Sequence, residues 1–419
     1  MRFDLEVISN GEKKIIAFDN VTNIFSDPNS GAEYLQEYRT KDYLRTPETY
    51  DINWSDIGML YITMGLKCNF HCKYCHQNTI RKIAGIPDCT PDKAEKLLEM
   101  LKARQIKTRG IGIWGGEPLV YWKAMKALIP GLREMFPDTI INFPTNGSLL
   151  DEEKLAFLRK YHIGFYISYD GRITNRDETI LDNPKVVKVM RSEKQGIQIM
   201  PTQNRKSIPI KELRKEFDDL GIKIHSIAPY SIARCNPYTR DQAAETLIPK
   251  EKAQAHAEFL YRALHDDVEH PEYYKSLRER FDHNLRLYAA GIGIDSADIN
   301  FCANSWGRDV CVDCEGTLYN CMNIPLHKVG SLKEFKAFDQ SSIFQGHLTK
   351  SKCLSCPYVS VCRGGCPLIH DENSPEFIVN CSNLKILAEP YFRTTVERLL
   401  GVYLKRIVRV SDGLTYGEW

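Results

Sequence analysis

Between Gly58 and about Ile227 the chain alternates short apolar runs with amphipathic stretches of helical period. Met59–Met64 is nearly unbroken in apolar character, the pattern of a strand buried on both faces. Similar runs recur at Gly110–Trp114, Thr139–Phe143, Ile163–Ser168, Ile197–Met200 and Ile222–Ile227. Between them the spacing predicts helices over Pro91–Lys107, Tyr121–Met135, Asp151–Lys160, Pro184–Lys194 and Ile210–Leu220. In the first of these, Thr90 is the N-cap, Pro91 opens the first turn, and Leu97, Leu98 and Leu101 share a face. Six strands with five intervening helices predict an α/β domain of parallel units with right-handed crossovers. Six units are too few for a closed eight-stranded barrel, so the pattern allows an open sheet or a partial barrel. In both, ligands bind at the carboxyl ends of the strands.

The flanks read differently. Phe3–Ser9 and Lys13–Phe18 around Asn10-Gly11 predict a hairpin, followed by a polar connector with Pro28, Gly31 and Pro47. The hairpin would cap the fold or add a strand to a bound peptide. Residues 231–300 are polar and largely helical, with one helix over Ile248–His265. Leu384–Val408 predicts a terminal helix interrupted near Pro390. The expected organisation is an extension at 1–57, the α/β domain at 58–230, a helical bridge at 231–300, a cysteine-rich domain at 301–383 and a terminal helix at 384–419.

A net charge of +2 and a pI near 7.8 supply no field for nucleic acid or an anionic membrane. Trp54, Trp114, Trp122, Trp306 and Trp419 are scattered, without the basic–aromatic interleaving of a stacking platform. Acids at Asp4 and Glu6 break any signal-like start, and no apolar run reaches transmembrane length, so a cytoplasmic protein is expected. Fourteen cysteines in clustered spacings then point to metal binding rather than a disulfide scaffold.

Three of them form Cys68-x3-Cys72-x2-Cys75, directly after the first predicted strand. Iron–sulfur and structural zinc sites usually take four protein ligands, so three thiolates leave one metal position open. A zinc knuckle completed by His71 or His76 is the alternative. Tyr74 precedes the last cysteine, and Gly115-Gly116-Glu117-Pro118, Thr145-Asn146-Gly147 and Ser168-Tyr169-Asp170-Gly171 follow in order. In these motifs the chain resembles the radical S-adenosylmethionine (radical SAM) enzymes.

That resemblance implies a partial (β/α)6 barrel. It also implies a 4Fe–4S cluster on Cys68, Cys72 and Cys75, with S-adenosyl-L-methionine on the fourth iron. Reductive cleavage of the cofactor would yield methionine and a 5′-deoxyadenosyl radical that removes a hydrogen atom from carbon. By the same resemblance Gly115 and Gly116 let backbone carbonyls reach the methionine ammonium, and Glu117 adds negative charge there. Asn146, Ser168 and Asp170 lie near the ribose and carboxylate, and Tyr74 backs the adenine. Ordinary turn roles account for some of these residues equally well, Asn146 among them. One position departs from the pattern. Where many relatives carry an arginine for the carboxylate, this chain has Ile180, leaving Arg172 or Arg176 to compensate.

The tail reads Cys302-x13-Gly316-x4-Cys321, then Cys353-x2-Cys356-x5-Cys362-x3-Cys366, then Cys381. This spacing resembles the SPASM domain, which implies a cysteine-rich iron–sulfur domain with two auxiliary 4Fe–4S clusters. Cys353, Cys356, Cys362 and Cys381 would hold the outer cluster; Cys302, Cys321 and Cys366 belong to the inner one. Relatives place another cysteine soon after the first, and Ala303 to Val310 contain none. Cys311 or Cys314 substitutes, or an iron stays open. Two zinc sites are the alternative for the tail. Cys89 and Cys235 have no assigned role and are expected to be packed thiols. Asp313, Glu315 and Tyr319 surround the inner cysteines, as proton carriers or as parts of a solvated hairpin.

SPASM relatives act mostly on peptides or protein side chains. The expected activity is therefore cross-linking or side-chain oxidation of a ribosomally made peptide. A flavodoxin- or ferredoxin-type electron donor is expected as a partner. So is a separate leader-recognition protein, because 57 residues are short for such a domain. A sulfatase-maturase-like oxidase is the second reading, weakened by Met322 where that class has aspartate. A non-catalytic electron carrier is the third; it would not need Gly115-Gly116-Glu117-Pro118.

Overall fold

The computed structural model describes residues 1–39, 54–172, 179–292, 309–319, 321–333, 350–366 and 368–419. The chain forms two compact units, each built from separated stretches of sequence.

The larger unit spans Thr49–Thr246 and Cys302–Gln340. The six predicted strands are Ile57–Thr63, Thr108–Trp114, Ile140–Thr145, Ile163–Ile167, Ile197–Ile199 and Ile224–Ile227. They pair side by side in chain order and are all parallel, with register such as Leu60 beside Ile111 and Ile62 beside Ile113. Helices Pro91–Ala103, Trp122–Met135, Glu152–Lys160, Pro184–Arg191 and Ile210–Asp218 fill the crossovers. The start of the first is capped by Thr90 as the sequence predicts, and two more carry side-chain caps. Thr90 accepts from the Lys93 amide at 3.3 Å, Asp151 from Lys154 at 2.8 Å, and Asn183 from Lys185 and Val186. The first helix stops four residues before the expected Lys107. Gln105 turns into the left-handed region, and the Lys107 amide bonds to the Trp54 carbonyl instead.

The sheet continues beyond the first strand, where sequence periodicity placed a separate domain. Asp309–Asp313 pairs in parallel with Ile57–Thr63, and Thr317–Tyr319 and Lys328–Ser331 follow antiparallel. Without Asp309–Asp313 the outer edge of the first strand would leave its backbone groups unpaired; the added strand bonds them, with Val310 and Val312 buried.

The smaller unit comprises Met1–Glu48, Leu247–Phe301 and Ser341–Trp419. Arg2–Ser9 and Glu12–Asp19 form the predicted hairpin, with Asn10 and Gly11 both at positive φ, as a tight primed turn requires. Both outer flanks of the hairpin are partnered. Ile24–Ser26 pairs with one strand and Tyr403–Arg409 with the other, followed by Thr415–Glu418.

The C-terminal element corrects the expectation of a helix over Leu384–Val408. The helix runs over Pro375–Leu400, and residues 403–409 are a strand. Ser374 caps the start by accepting from the Phe377 amide at 3.2 Å, and Gly401 ends it at a φ of 65°. Pro390 lies inside the helix without ending it. Beyond Gly401 the apolar period changes, and Leu404 and Ile407 turn into a core of Phe3, Phe18, Phe25, Tyr358 and Phe392. Phe18 stacks on Phe25 at 4.9 Å and meets Phe392 at 5.1 Å. In the expected bridge, helices occupy Lys250–Leu264 and Lys275–Ala289.

Both chain ends brace the segment that carries Cys353 to Cys362. Asn20 Nδ2 donates to the carbonyls of Leu354 and Cys356, each at 2.8 Å. Ser360 Oγ donates to Asn23 Oδ1 at 2.6 Å, and Tyr416 Oη donates to the Ser355 carbonyl at 2.6 Å. The Asn20 amide is fully buried. Asn20→Ala strands two carbonyls and is expected to cost about 1–3 kcal/mol, read as a lower denaturant midpoint; an unchanged midpoint would contradict this bracing.

Candidate functional site

The carboxyl ends of the parallel strands form one rim, and the expected barrel-site residues stand on it. After Ile57–Thr63 the chain passes through Gly65, Leu66 and Lys67 into the Cys68–Cys75 loop, which leads to the short helix His76–Ile80. The Phe70 amide donates to Cys68 Sγ at 3.3 Å, and the Cys75 amide donates to the Cys72 carbonyl at 3.0 Å. Burial raises the Cys68 pKa, and the charges of Glu117 and Cys75 push the same way.

The next strand end packs directly on this loop. The Gly116 amide donates to the Gly65 carbonyl at 3.1 Å, and the Glu117 amide to the Lys67 carbonyl at 2.9 Å. A Cβ on Gly115 would stand 2.5 Å from the Gly65 oxygen, and one on Gly116 2.3 Å from the Lys67 oxygen. The backbone these glycines admit is therefore that of the cysteine loop itself. Glu117, only 1% exposed, accepts from the Leu119 amide at 3.0 Å, Thr145 Oγ1 at 2.8 Å and the Asn146 amide at 2.7 Å. Its carboxylate joins the second strand end to the third. Asn146 continues the chain of contacts, donating from Nδ2 to Asn69 Oδ1 at 2.9 Å. Asn69 lies inside the cysteine loop.

Tyr74 and Asp170, expected to touch different parts of one cofactor, bond to each other. Tyr74 Oη donates to Asp170 Oδ2, which also accepts from Asn204 Nδ2 at 3.3 Å. Asp170 Oδ1 accepts from the Thr202 amide at 2.7 Å. One buried carboxylate thus links the cysteine loop to the rim beyond the fifth strand. Ser168 is half-buried, and its amide donates to the Thr145 carbonyl at 2.8 Å. His76 turns its Nδ1 toward Asn236 Nδ2 at 2.9 Å. Burial and nearby Arg234 hold its pKa down, at about 4. Of the two arginines considered for the carboxylate, Arg172 pairs with Asp182, and Arg176 lies outside the described residues.

In the tail, Cys353 lies on the short helix Ser351–Leu354, Cys362 ends the short helix Val359–Cys362, Cys356 lies between them, and Cys381 is on the helix Pro375–Leu400. Burial raises the Cys353 pKa to about 12, with Cys362 and Cys381 adding to it. Burial, Cys362 and Cys381 likewise raise Cys356. Burial and Cys381 raise Cys362 to about 11. The expected outer quartet is therefore within mutual electrostatic reach. Cys302 lies outside the described residues; Cys321 belongs to the larger unit and Cys366 to the smaller.

Cys311 and Cys314 are both buried on the sheet extension. Cys314 Sγ lies 3.7 Å from the Pro87 carbonyl, and its thiol is hydrogen-bonded with that of Cys89. Cys89, which sequence spacing left without a role, is thus the thiol partner of Cys314, and Cys235 is a buried thiol. Asp313 and Tyr319 are buried rather than solvated. Asp313 accepts from the amides of Glu315 and Thr317 and from Tyr319 Oη at 2.9 Å, capping its own hairpin. Glu315 is exposed and pairs with Lys93 at 2.7 Å.

Among the described residues, no three or more His, Cys, Asp or Glu side chains are drawn together around one metal-ion position. The donor chemistry fits a thiolate-bound metal group: thiols held protonated by burial and by one another ionise when a metal takes the charge.

Residues 62–196 match the Radical SAM superfamily. The radical SAM cyclopropyl synthase TigE of Paramaledivibacter caminithermalis is 27% identical over 156 residues, 34% of this chain; the match spans about a third of that relative's length. Native anSMEcpe with bound AdoMet has the same fold at a TM-score of 0.55 and 16% identity, over 82% of this chain and 98% of that one. Its structure with bound AdoMet and Cp18Cys peptide gives 0.53 at 16% identity, over the same shares.

Gly116→Ala is expected to push the two loops apart and expose Cys68 and Cys75. Both thiols should then react severalfold faster with a disulfide reagent in the metal-free protein; an unchanged rate would mean the loop is held by something else.

Proposed function

We propose that this chain, whose residues 62–196 match the Radical SAM superfamily, is a SPASM-type maturase that modifies a peptide or protein side chain. Cys68, Cys72 and Cys75 would hold a 4Fe–4S cluster, with AdoMet bound at the same rim. When bound, that pair supplies a 5′-deoxyadenosyl radical able to take hydrogen from unactivated carbon. The chain's own residues orient it. Tyr74, Asp170, Asn146, Glu117, Gly115 and Gly116 fix the loop, and Ser168 lines the same strand end.

One observation carries the SPASM reading: Cys353, Cys356 and Cys362 sit in one braced segment, their thiol pKa values raised by burial and by neighbouring cysteines, Cys381 of the helix Pro375–Leu400 among them. A second metal group there suits a reaction that removes another electron after hydrogen abstraction. A peptide substrate is supported by anSMEcpe, whose structure holds AdoMet together with a Cp18Cys peptide.

Residues 1–39 pack in the unit that carries the outer cysteines, with both hairpin flanks partnered. As partners we propose a separate leader-recognition protein and a flavodoxin- or ferredoxin-type electron donor. No helix among the described residues is long and apolar enough to cross a membrane.

The test is anaerobic reconstitution with AdoMet, a reductant and short peptides encoded beside the gene. The wild type should release 5′-deoxyadenosine and change a peptide's mass. Cys72→Ala should abolish both signals. Cys356→Ala should keep AdoMet cleavage but lose the peptide product. Full product formation by Cys356→Ala would refute a role for the tail.

A further inference from the structure

Lys350 is 1% exposed, an extreme position for an ammonium. It precedes the short helix Ser351–Leu354 that carries Cys353. Its Nζ donates to the Gly364 carbonyl at 3.2 Å and lies 5.7 Å from the centre of the Phe377 ring. Among the described residues no carboxylate forms a salt bridge with it. Glu372, the acid on its side of the unit, accepts from Ser351 Oγ and the Lys352 amide. An ammonium has three N–H donors, and burying it without an opposite charge is expensive.

The groups it touches belong to the cysteine segment: Gly364 lies between Cys362 and Cys366, and Phe377 packs in one cluster with Cys353 and Cys366. Burial lowers the Lys350 pKa, while Cys353, Cys366 and Cys362, in that order, act to raise it, with Glu372 behind them. Two of these cysteines belong to the outer quartet. Neutral thiols offer the ammonium little; thiolates gathered on a metal offer it the missing charge.

We propose that Lys350 is the internal counter-ion of the metal group held by Cys353, Cys356, Cys362 and Cys381, and that it makes this group easier to reduce. The proposal rests on the reading of the tail as an iron–sulfur domain. A cluster bound by four thiolates is anionic and gains one further negative charge on reduction. A fixed positive charge beside it, in a dry interior, favours the more negative state. Lys350 acts through the cluster and is a positioning residue in the electrostatic sense, with no contact to substrate required.

The experiment uses the full chain with Cys68, Cys72 and Cys75 replaced by Ala, so that only tail iron is observed. Lys350→Met, Lys350→Gln and Lys350→Arg are reconstituted anaerobically with iron and sulfide. Iron content, the reduced-state electron paramagnetic resonance spectrum and a dye-mediated redox titration are recorded. Lys350→Met and Lys350→Gln should retain iron but favour the reduced form at least tenfold less, about 59 mV more negative for a one-electron couple. Arg should stay near the parent. The metal-free Met variant should melt higher than the parent, because a buried unpaired charge has gone.

Unchanged potentials in iron-loaded Met and Gln variants would overturn the proposal, leaving Lys350 as a donor to Gly364 alone. Zinc without iron in the parent tail would overturn the underlying iron–sulfur reading and this proposal with it. The two failures differ in metal content.

Discussion

The backbone-to-backbone contact between Gly115-Gly116 and Gly65-Leu66-Lys67 is the constraint on which the site depends. A loop with three cysteines has no rigidity of its own, and the single turn of helix after it adds little. Here two amides from the second strand end bond to carbonyls at the loop's entry, at a separation that any side chain would forbid. Glu117 then carries the tie to the third strand end, Asn146 returns it to the loop at Asn69, and Asp170 fastens Tyr74 from the fourth. Parallel strands bring these residues to one rim because they all point the same way. The rim is rigid since each polar contact spans two strand ends rather than one.

The tail solves a different problem. Its cysteines lie in a short, loop-rich stretch with a small core of Val359, Ile369 and Phe377 beside Cys353. Stability there comes from outside the stretch, through Asn20, Asn23 and Tyr416 from the two chain ends. Buried thiols that oppose one another's ionisation, next to a buried ammonium, form an electrostatic arrangement that neutral groups leave unbalanced. A thiolate-bound metal group would satisfy all of them together.

Local pattern carried the barrel. Apolar runs marked all six strands, and Thr90 with Pro91 marked the start of the first intervening helix. Helix ends were less legible, as Gln105 shows: it turns left-handed two residues before the Lys107 amide bonds to the carbonyl of Trp54, 53 residues earlier and invisible to any window. The same applies to Asp309–Asp313, whose place beside Ile57–Thr63 is set by an open sheet edge rather than by its own composition. Tyr403–Arg409 was hidden because its charged residues fit a helical face as well as a strand; Gly401 was the available signal. Among site residues, type and spacing identified the cysteines, but not who bonds to whom. The Tyr74–Asp170 pair, the Cys89–Cys314 pair and Lys350 emerge only once distant segments meet. The glycine pair was found for its conformational freedom, while its neighbour turned out to be protein backbone.

The central claim is that the barrel rim holds a metal cluster with one iron left for AdoMet. The most direct measurement is electron paramagnetic resonance of the reduced, iron-loaded chain with all tail cysteines replaced, before and after AdoMet is added. The account predicts about four irons per chain and a signal whose shape changes when AdoMet binds. A signal indifferent to AdoMet, or a rim that loads zinc in place of iron, would contradict it.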